Sequence, residues 1–338
     1  MRAYELIAGS NSLAGLRRGE RPDPKPQATQ ILVKMKAASL NYRDLMIARG
    51  HYMGGPVTAS TIPLSDGAGE VVAVGSAVTR FKVGERAAGT FFRHWIDGAP
   101  PHGPLVALGA AGIDGVLSEY AVFDQQDAVA LPAHLSYEAA ATLPCAGVTA
   151  WRALIDIGRI VPGDTVLLIG TGGVSTFALQ FARLAGARVL IISSSDAKLE
   201  RARKLGAEGG INYRSTPEWE NEVLKQTGGR GVDCVIEVGG AGTLSRSTAS
   251  LAVGGRIALI GVLTGPAAAG SPYGLLGKQA SVHGVFVGSR GHFERMNAAI
   301  ALHRMEPVID RVFDFNDAGA AYSHLESAAH FGKVVLRI

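Results

Sequence analysis

The stretch from 165 to 192 constrains this chain more than any other. Thr165–Ile169 is a continuous apolar strand that runs into Gly170, Thr171, Gly172, Gly173, Val174 and Ser175. A helix follows at once over 174–185, with Phe177, Phe181 and Leu184 at helical spacing, and then a second apolar strand over 188–192. The chain must turn sharply between strand and helix, and glycines without a Cβ let a phosphate approach the free N–H groups at the helix start. The unit predicts a dinucleotide site built on Gly170, Thr171, Gly172, Gly173 and Val174. Ser175 stands where the usual G-x-G-x-x-G pattern has its last glycine, which predicts a slightly wider gap between helix and strand.

The alternation continues with a helix over 197–205, a short strand over 211–213, and strands at Val232–Glu237, 256–260 and 281–287. Strand–helix alternation of this kind implies right-handed crossovers and a parallel, doubly wound sheet. The first third is instead β-rich, with short strands over 30–37, 69–75 and 119–123 between Gly, Pro, Asn and Asp turns. Residues 135–154 turn Ala-rich and helical, with Ser136 as an N-cap. Two late strands, over 305–313 and 332–338, break the alternating rhythm and are expected to return to the first domain. The predicted class is α/β, with a substrate domain over 1–125 and 290–338 and a dinucleotide-binding domain over 126–289.

Cofactor choice is read at the end of the second strand. An NAD site places an acid about 20 residues past the glycines to hold the ribose 2′-OH. Here that place reads Ser193, Ser194 and Ser195, with Lys198 one helical step on. Hydroxyls and an ammonium hold a 2′-phosphate that a carboxylate would repel, so NADPH is expected. Asp196 argues the other way, and the serines also read as an N-cap for the following helix.

At 338 residues, with 47% hydrophobic and 18% charged side chains, the chain suffices for two globular cores. The basic excess, 33 − 29 = +4, is diffuse rather than gathered in a stripe, which argues against a nucleic-acid partner. No apolar run reaches the ~20 residues of a membrane span. The N-terminus lacks a signal-peptide succession, and the two cysteines, Cys145 and Cys234, form no disulfide framework. A cytoplasmic protein is expected.

Several stretches together resemble the medium-chain dehydrogenase/reductase superfamily, especially its zinc-free quinone-oxidoreductase-like branch. They are Ala38-Ser-Leu-Asn-Tyr-Arg-Asp44, Asp66-Gly-Ala-Gly-Glu-Val71, Val83-Gly-Glu-Arg86, Leu143-Pro-Cys-Ala-Gly-Val-Thr-Ala-Trp151, the glycine turn, Lys204-Leu-Gly-Ala207, Ile211-Asn-Tyr-Arg214 and Gly332-Lys-Val-Val335. The resemblance implies a GroES-like β-barrel domain holding the substrate cleft, a Rossmann domain, and a homodimer formed through the Rossmann sheets. It further implies that Val238, Gly239, Ile260, Val262, Phe286 and Val287 line the nicotinamide half of the cofactor. Tyr213 is expected near the adenosine phosphate, and Lys333 among the cofactor-binding residues.

Zinc-dependent members of that family have a cysteine where this chain has Asn41, and a Gly-His-Glu stretch where it has Leu64-Ser65-Asp66. Only Cys145 falls on a ligand position, whereas catalytic zinc needs three protein ligands. No metal is therefore expected, and Cys145 reads as a packing residue. Without a Lewis acid, an enone, enal or quinone is easier to reduce than an alcohol is to oxidise, because the negative charge delocalises and a few donors suffice. The expected donors are Asn41, Tyr42 and Arg43, with Arg43 and Asp44 also able to pair with each other. Met46 stands where some quinone reductases carry a tyrosine, which counts against quinone itself. The segment 91–112, in the place of the family's structural zinc loop, reads as a surface lobe. The leading function is an NADPH-dependent reductase of a small conjugated carbonyl; the alternatives are a zinc-free alcohol or aldehyde dehydrogenase and a non-catalytic NADPH-binding protein.

Overall fold

Eleven consecutive residues, Gln30–Leu40, form a strand long enough to take three partners. The computed structural model describes residues 1–338 apart from 53, 54, 111 and 266–272. In chain order its first part holds β1 (Arg2–Leu6), β2 (Leu16–Glu20), β3 (Gln30–Leu40), α1 (Tyr42–Ala48), β4 (Asp66–Val74), β5 (Arg86–Gly89), β6 (Tyr120–Asp124), β7 (Ala128–Ala130), α2 (Tyr137–Ala140) and α3 (Val148–Arg152). Then come β8 (Thr165–Ile169), α4 (Gly173–Leu184), β9 (Arg188–Ser193), α5 (Asp196–Lys204), β10 (Gly209–Asn212), α6 (Trp219–Gln226), β11 (Val232–Glu237), α7 (Ala241–Ala249), β12 (Leu251–Leu259), α8 (Tyr273–Lys278) and β13 (Ser281–Gly284). The chain ends with α9 (Arg290–His303), β14 (Ile309–Asp314), α10 (Ala318–Glu326) and β15 (Lys333–Arg337).

Contacts divide the chain into Met1–Val148 with Gly288–Ile338, and Thr149–Val287. The contact division thus falls at 148/149 and 287/288, where the sequence predicts boundaries at 125/126 and 289/290. β7 lies past 125 yet completes the first unit's sheet by pairing with β5. Ser289 starts α9, whose first N–H groups, on Arg290 and Gly291, donate to the carbonyls of Trp95 and Ile96.

In the first unit the sheet runs β14-β15-β3-β4-β5-β7, with β6 also on β3. β6 pairs with Gln30–Lys34 and β15 with the other end, from Ala37 to Leu40, on the edge of β3 opposite β4. Register shifts at Leu32/Val33 and Met35/Ala37 bend the strand between those partners. As expected, β14 and β15 return to this unit, forming the GroES-like fold. Its core gathers Ile31, Val33, Met35, Leu40, Phe123, Tyr322 and Leu336.

The second unit is the doubly wound Rossmann sheet, in the order β10-β9-β8-β11-β12-β13 with every pair parallel. β8 is buried at all five positions, as a strand covered on both faces must be. Phe177 and Phe181 of α4 are buried and stack at 5.8 Å, but Leu184 at the helix end is exposed. β12 begins earlier than expected, at Leu251, because Leu251 pairs with Val232. No described helix is long and apolar enough to cross a membrane.

Candidate active site

In the second unit the strand order reverses between β8 and β11, so crossovers leave in opposite directions there and a crevice opens beyond the strands' carboxyl ends. Gly170 turns the chain out of β8 at φ +77°, a conformation that favours glycine. Gly172 is the N-cap of α4, and a Cβ built on it meets nothing within 4 Å. The first N–H groups of α4 therefore face open space, the arrangement a pyrophosphate requires. Ser175 is buried, and its hydroxyl donates to the Ile169 carbonyl at 2.9 Å, tying helix to strand where a glycine would only allow them to approach.

β9 ends at the buried Ser193, with Ser194 half-buried after it. Ser195 is the residue that caps α5, accepting the Lys198 N–H at 3.4 Å. The Asp196 carboxylate is engaged elsewhere: it accepts from Asn212 Nδ2 at 2.9 Å. Tyr213, just past β10, is exposed and donates its N–H to the Ser193 carbonyl at 3.0 Å.

The turn after β11 is set by Glu237, a fully buried carboxylate. Its Oε1 accepts from the N–H groups of Gly239 (2.7 Å) and Gly240 (3.0 Å) and from the Thr243 hydroxyl (2.6 Å). Its Oε2 accepts from the Ser247 hydroxyl. The neighbouring loop is bound in as well, since Ile260 N–H donates to the Glu237 carbonyl and Thr264 N–H to that of Gly239. Val238, Ile260, Val262, Phe286 and Val287 follow β11, β12 and β13 at their carboxyl ends. Val287 is a β-branched residue at φ +48°, its carbonyl accepting from Arg152 Nη1 at 3.3 Å; such backbone is sparsely populated and holds only where its surroundings enforce it.

Every residue expected at the cofactor thus lies at the carboxyl edge of this sheet except Lys333, which opens β15 in the first unit. It is buried, and its ammonium donates to the Leu40 carbonyl at 2.6 Å and to Asn41 Oδ1 at 2.5 Å. Asn41 is the N-cap of α1, and the Asp44 carboxylate reaches back to the Asn41 N–H at 2.7 Å. Ser65 hydroxyl donates to Asp66 Oδ1 at 2.6 Å and the Cys145 N–H to Asp66 Oδ2 at 2.9 Å.

Arg43 is also buried; its Nη1 donates to the Leu108 carbonyl at 3.0 Å, and its guanidinium lies over the rings of Phe91 (4.8 Å) and Tyr52 (5.2 Å). Its contact with Asp44 is a longer 3.4 Å. Among the described residues, Asn41 Nδ2, Arg43 Nε and Nη2 and the Tyr322 hydroxyl are buried without a hydrogen-bond partner. Only looser side-chain contacts serve Asn41, toward Asp66, and Arg43, toward Tyr52, so these buried donors are under-satisfied and can take a further partner. Tyr42 does not join them; it is the first residue of α1 and about half exposed.

Burial governs the titration of this region. It pushes the Asp44 carboxyl up to about 6, against the pull of Arg43 and the Asn41 N–H. Asp66 is raised by burial too, opposed by Lys333, Ser65 and the Cys145 N–H. Burial and the charge of Asp66 push the Cys145 thiol up, and burial pushes the Cys234 thiol up to about 12. For Asp44 the folded value exceeds the ordinary 3.8, so the fold favours the protonated form. That stability is complete below the ordinary value and is lost as pH rises through about 6. Acidifying from about pH 7 to about pH 5 should therefore stabilise the wild type by about 1 kcal/mol relative to Asp44→Asn, read from urea midpoints.

The segment 91–112 is more than a surface lobe, although Ala111 within it lies outside the described residues. Phe91, Phe92 and Trp95 are buried, and the Trp95 ring meets His292 of α9 edge-on at 6.1 Å. Asp97 pairs with both Nη atoms of Arg295 at 3.0 Å. Among the described residues no three His, Cys, Asp or Glu side chains gather as metal ligands.

Glu237 and Tyr322 were not singled out from sequence. An acid closing the apolar strand Val232–Glu237 directly before two glycines is a readable signal, since a buried carboxylate needs N–H donors. Nothing in the sequence ties Tyr322 to Arg43; only the packing of α10 does so.

Comparison with known proteins agrees with this geometry. Residues 27–133 match the model described as alcohol dehydrogenase GroES-like domain, and 173–302 that described as zinc-binding dehydrogenase. The chain is 45% identical over 315 residues, 91% of each protein, to a zinc-type alcohol dehydrogenase-like protein of Schizosaccharomyces pombe. It is similar to an NAD-dependent alcohol dehydrogenase, with TM-score 0.90, 30% identity and all of both chains covered. It is also similar to a mycobacterial protein solved in complex with NADPH, with TM-score 0.83, 26% identity and all of both chains covered.

Proposed function

The chain belongs to the medium-chain dehydrogenase/reductase superfamily, and from that premise we propose that it is a zinc-independent, NADPH-dependent reductase of a small conjugated carbonyl compound, an enone, enal or quinone. The observation that carries this reading is the set of under-satisfied buried donors on Asn41, Arg43 and Tyr322. Charge arriving on a conjugated acceptor spreads to an enolate or phenolate oxygen, which such donors stabilise without a Lewis acid.

The side chains at the family's metal positions do not fit zinc. Asn41 gives its amide oxygen to an ammonium, Ser65 donates its hydroxyl to Asp66, and the Cys145 thiol is driven toward its neutral form. A bound cation would also meet the charge of Lys333. Bound at the second unit, the nicotinamide cofactor supplies the hydride. Gly172 and the start of α4 would hold its pyrophosphate, Glu237 fixes the turn of Val238 and Gly239, and Asn41 and Arg43 would take the substrate oxygen. Bulk water suffices as the proton source. A homodimer joined through the second unit's sheet accords with β13 lying at the sheet edge.

NADPH is favoured over NADH because Ser194 and Lys198 stand where a 2′-phosphate would lie, while Asn212 restrains Asp196. Replacing Ser194 and Lys198 by alanine should weaken NADPH at least tenfold more than NADH, since each charge-assisted bond contributes about 1.5–3 kcal/mol. An equal loss for both cofactors, in fluorescence titrations, would reject the phosphate pocket.

The relatives named as alcohol dehydrogenases favour a second reading, an alcohol or aldehyde dehydrogenase, which the side chains at Asn41, Ser65 and Cys145 rather than those names would make zinc-free. One assay separates the two: NADPH consumption with enones, enals, quinones, aldehydes and ketones, and NADP⁺ reduction with alcohols, each with and without a chelator. Chelator-resistant turnover of a conjugated acceptor is expected. Activity confined to alcohols supports the second reading, and activity abolished by chelator and restored by zinc overturns zinc independence.

A further inference from the structure

The ammonium of Lys333, a residue expected at the cofactor, is committed elsewhere, and its two acceptors are specific. Resting on the reading of Asn41 as a donor to substrate, we propose that Lys333 is a positioning residue that fixes the Asn41 side-chain amide with its oxygen inward, so that Nδ2 is presented to the substrate's carbonyl oxygen.

An asparagine amide has an acceptor end and a donor end of nearly equal size, and its rotation is decided by its partners. A lysine ammonium only donates. Once Lys333 Nζ sits 2.5 Å from Asn41, the atom facing it must be Oδ1. Turning the amide over would set two N–H groups against an ammonium and forfeit a charge-assisted bond, a bias on the order of tenfold to several hundredfold. The backbone on both sides is fixed as well. Asn41 N–H is held by Asp44, and Asp44 N–H by the Asn41 carbonyl at 2.9 Å. The Leu40 carbonyl takes a second N–H of the same ammonium, so the lysine is anchored to the strand that delivers Asn41. The Asn41 side chain leans on the Asp66 carboxylate and helps to keep it charged, but its Nδ2 reaches no acceptor in good hydrogen-bond geometry among the described residues. The donor is oriented, buried and only loosely engaged, so a substrate oxygen can compete for it.

The test combines Lys333→Met, Asn41→Ala and the double variant in the full-length protein, with kcat measured on an acceptor the wild type reduces and NADPH affinity by fluorescence titration. Asn41→Ala should lower kcat about 100-fold, the usual effect of deleting one oxyanion donor. Lys333→Met should lower kcat at least about tenfold with NADPH affinity within about twofold of wild type. In the Lys333→Met background, Asn41→Ala should cost much less than in the wild type, because the two act as one unit. Lys333→Arg should recover part of the loss.

Additive effects of the two substitutions would overturn the proposal. So would a Lys333→Met protein that binds NADPH weakly but keeps kcat at saturating cofactor, which would return Lys333 to the cofactor. If Asn41→Ala itself leaves kcat unchanged, the donor role of Asn41 falls; if it lowers kcat and Lys333→Met does not, only the positioning role falls. Should Lys333→Met fail to fold, Lys333→Gln decides. Its amide can pair with either end of the Asn41 amide and so no longer fixes the orientation; kcat should fall at least about tenfold with NADPH affinity near wild type, and wild-type kcat would overturn the proposal.

Discussion

Gly172→Val will fold almost as well as the wild type and bind NADPH at least about 100-fold more weakly. The new Cβ meets no protein atom within 4 Å, and the backbone at φ −77° suits any residue. The cost to the helix N-cap is about 1 kcal/mol or less. The space it enters lies in front of the first N–H groups of α4, where the pyrophosphate must sit against bare backbone. Losing that close approach removes about 3 kcal/mol of binding, which is the 100-fold expected. Thermal melting without cofactor and NADPH titration check the two halves separately. A melting temperature far below wild type would show the glycine to be structural, and unchanged affinity would place the phosphates elsewhere.

Glu237→Ala will have the opposite signature, a large loss of stability, on the order of 4 kcal/mol in urea unfolding. Four donors, on Gly239, Gly240, Thr243 and Ser247, converge on this carboxylate; the half-buried Thr243 hydroxyl keeps the Gly240 carbonyl at 3.3 Å, but the other three would be left buried with nothing to bond. Each stranded donor costs about 1–3 kcal/mol, partly relieved as the turn relaxes. Glu237→Gln will lose only about 1 kcal/mol: one oxygen still accepts from the two glycines and Thr243, and its new amide can donate to the Ser247 hydroxyl. Affinity for NADPH should follow the same order, because the carboxylate also holds Val238 and Gly239 in place. Equal stability for alanine and wild type would mean that water replaces the carboxylate.

These two residues also mark how far the sequence could be read. The nucleotide-binding half is legible because its signals are local: an apolar strand, a glycine turn and a helix in sequence order leave one topology, and the observed sheet follows it. Ser193, Tyr213, Val238, Ile260 and Phe286 all end or follow strands of that sheet, so knowing the strands is enough to place them. The first unit is harder. Asn41 and Arg43 carry a motif, but what surrounds them comes from Asp66, Cys145, Tyr322 and Lys333, brought together by β-pairing and helix packing across hundreds of residues. The pairing of β15 with β3 puts Lys333 beside Asn41, and no pattern in either segment announces it. Tyr42 shares the motif of its neighbours, while the first turn of α1 leaves it about half exposed.

The state of the two thiols has a consequence for survival alongside a reactive substrate. Conjugated enones and quinones alkylate cysteines, and the species they capture is the thiolate. Burial pushes the Cys234 thiol up, and the Cys145 thiol, although part of that residue is exposed, is pushed up by its surroundings and by the charge of Asp66. An enzyme with the proposed activity would thus offer such electrophiles little thiolate to attack. Prolonged incubation with excess enone should leave its mass and its activity unchanged where an ordinary surface thiol would be lost.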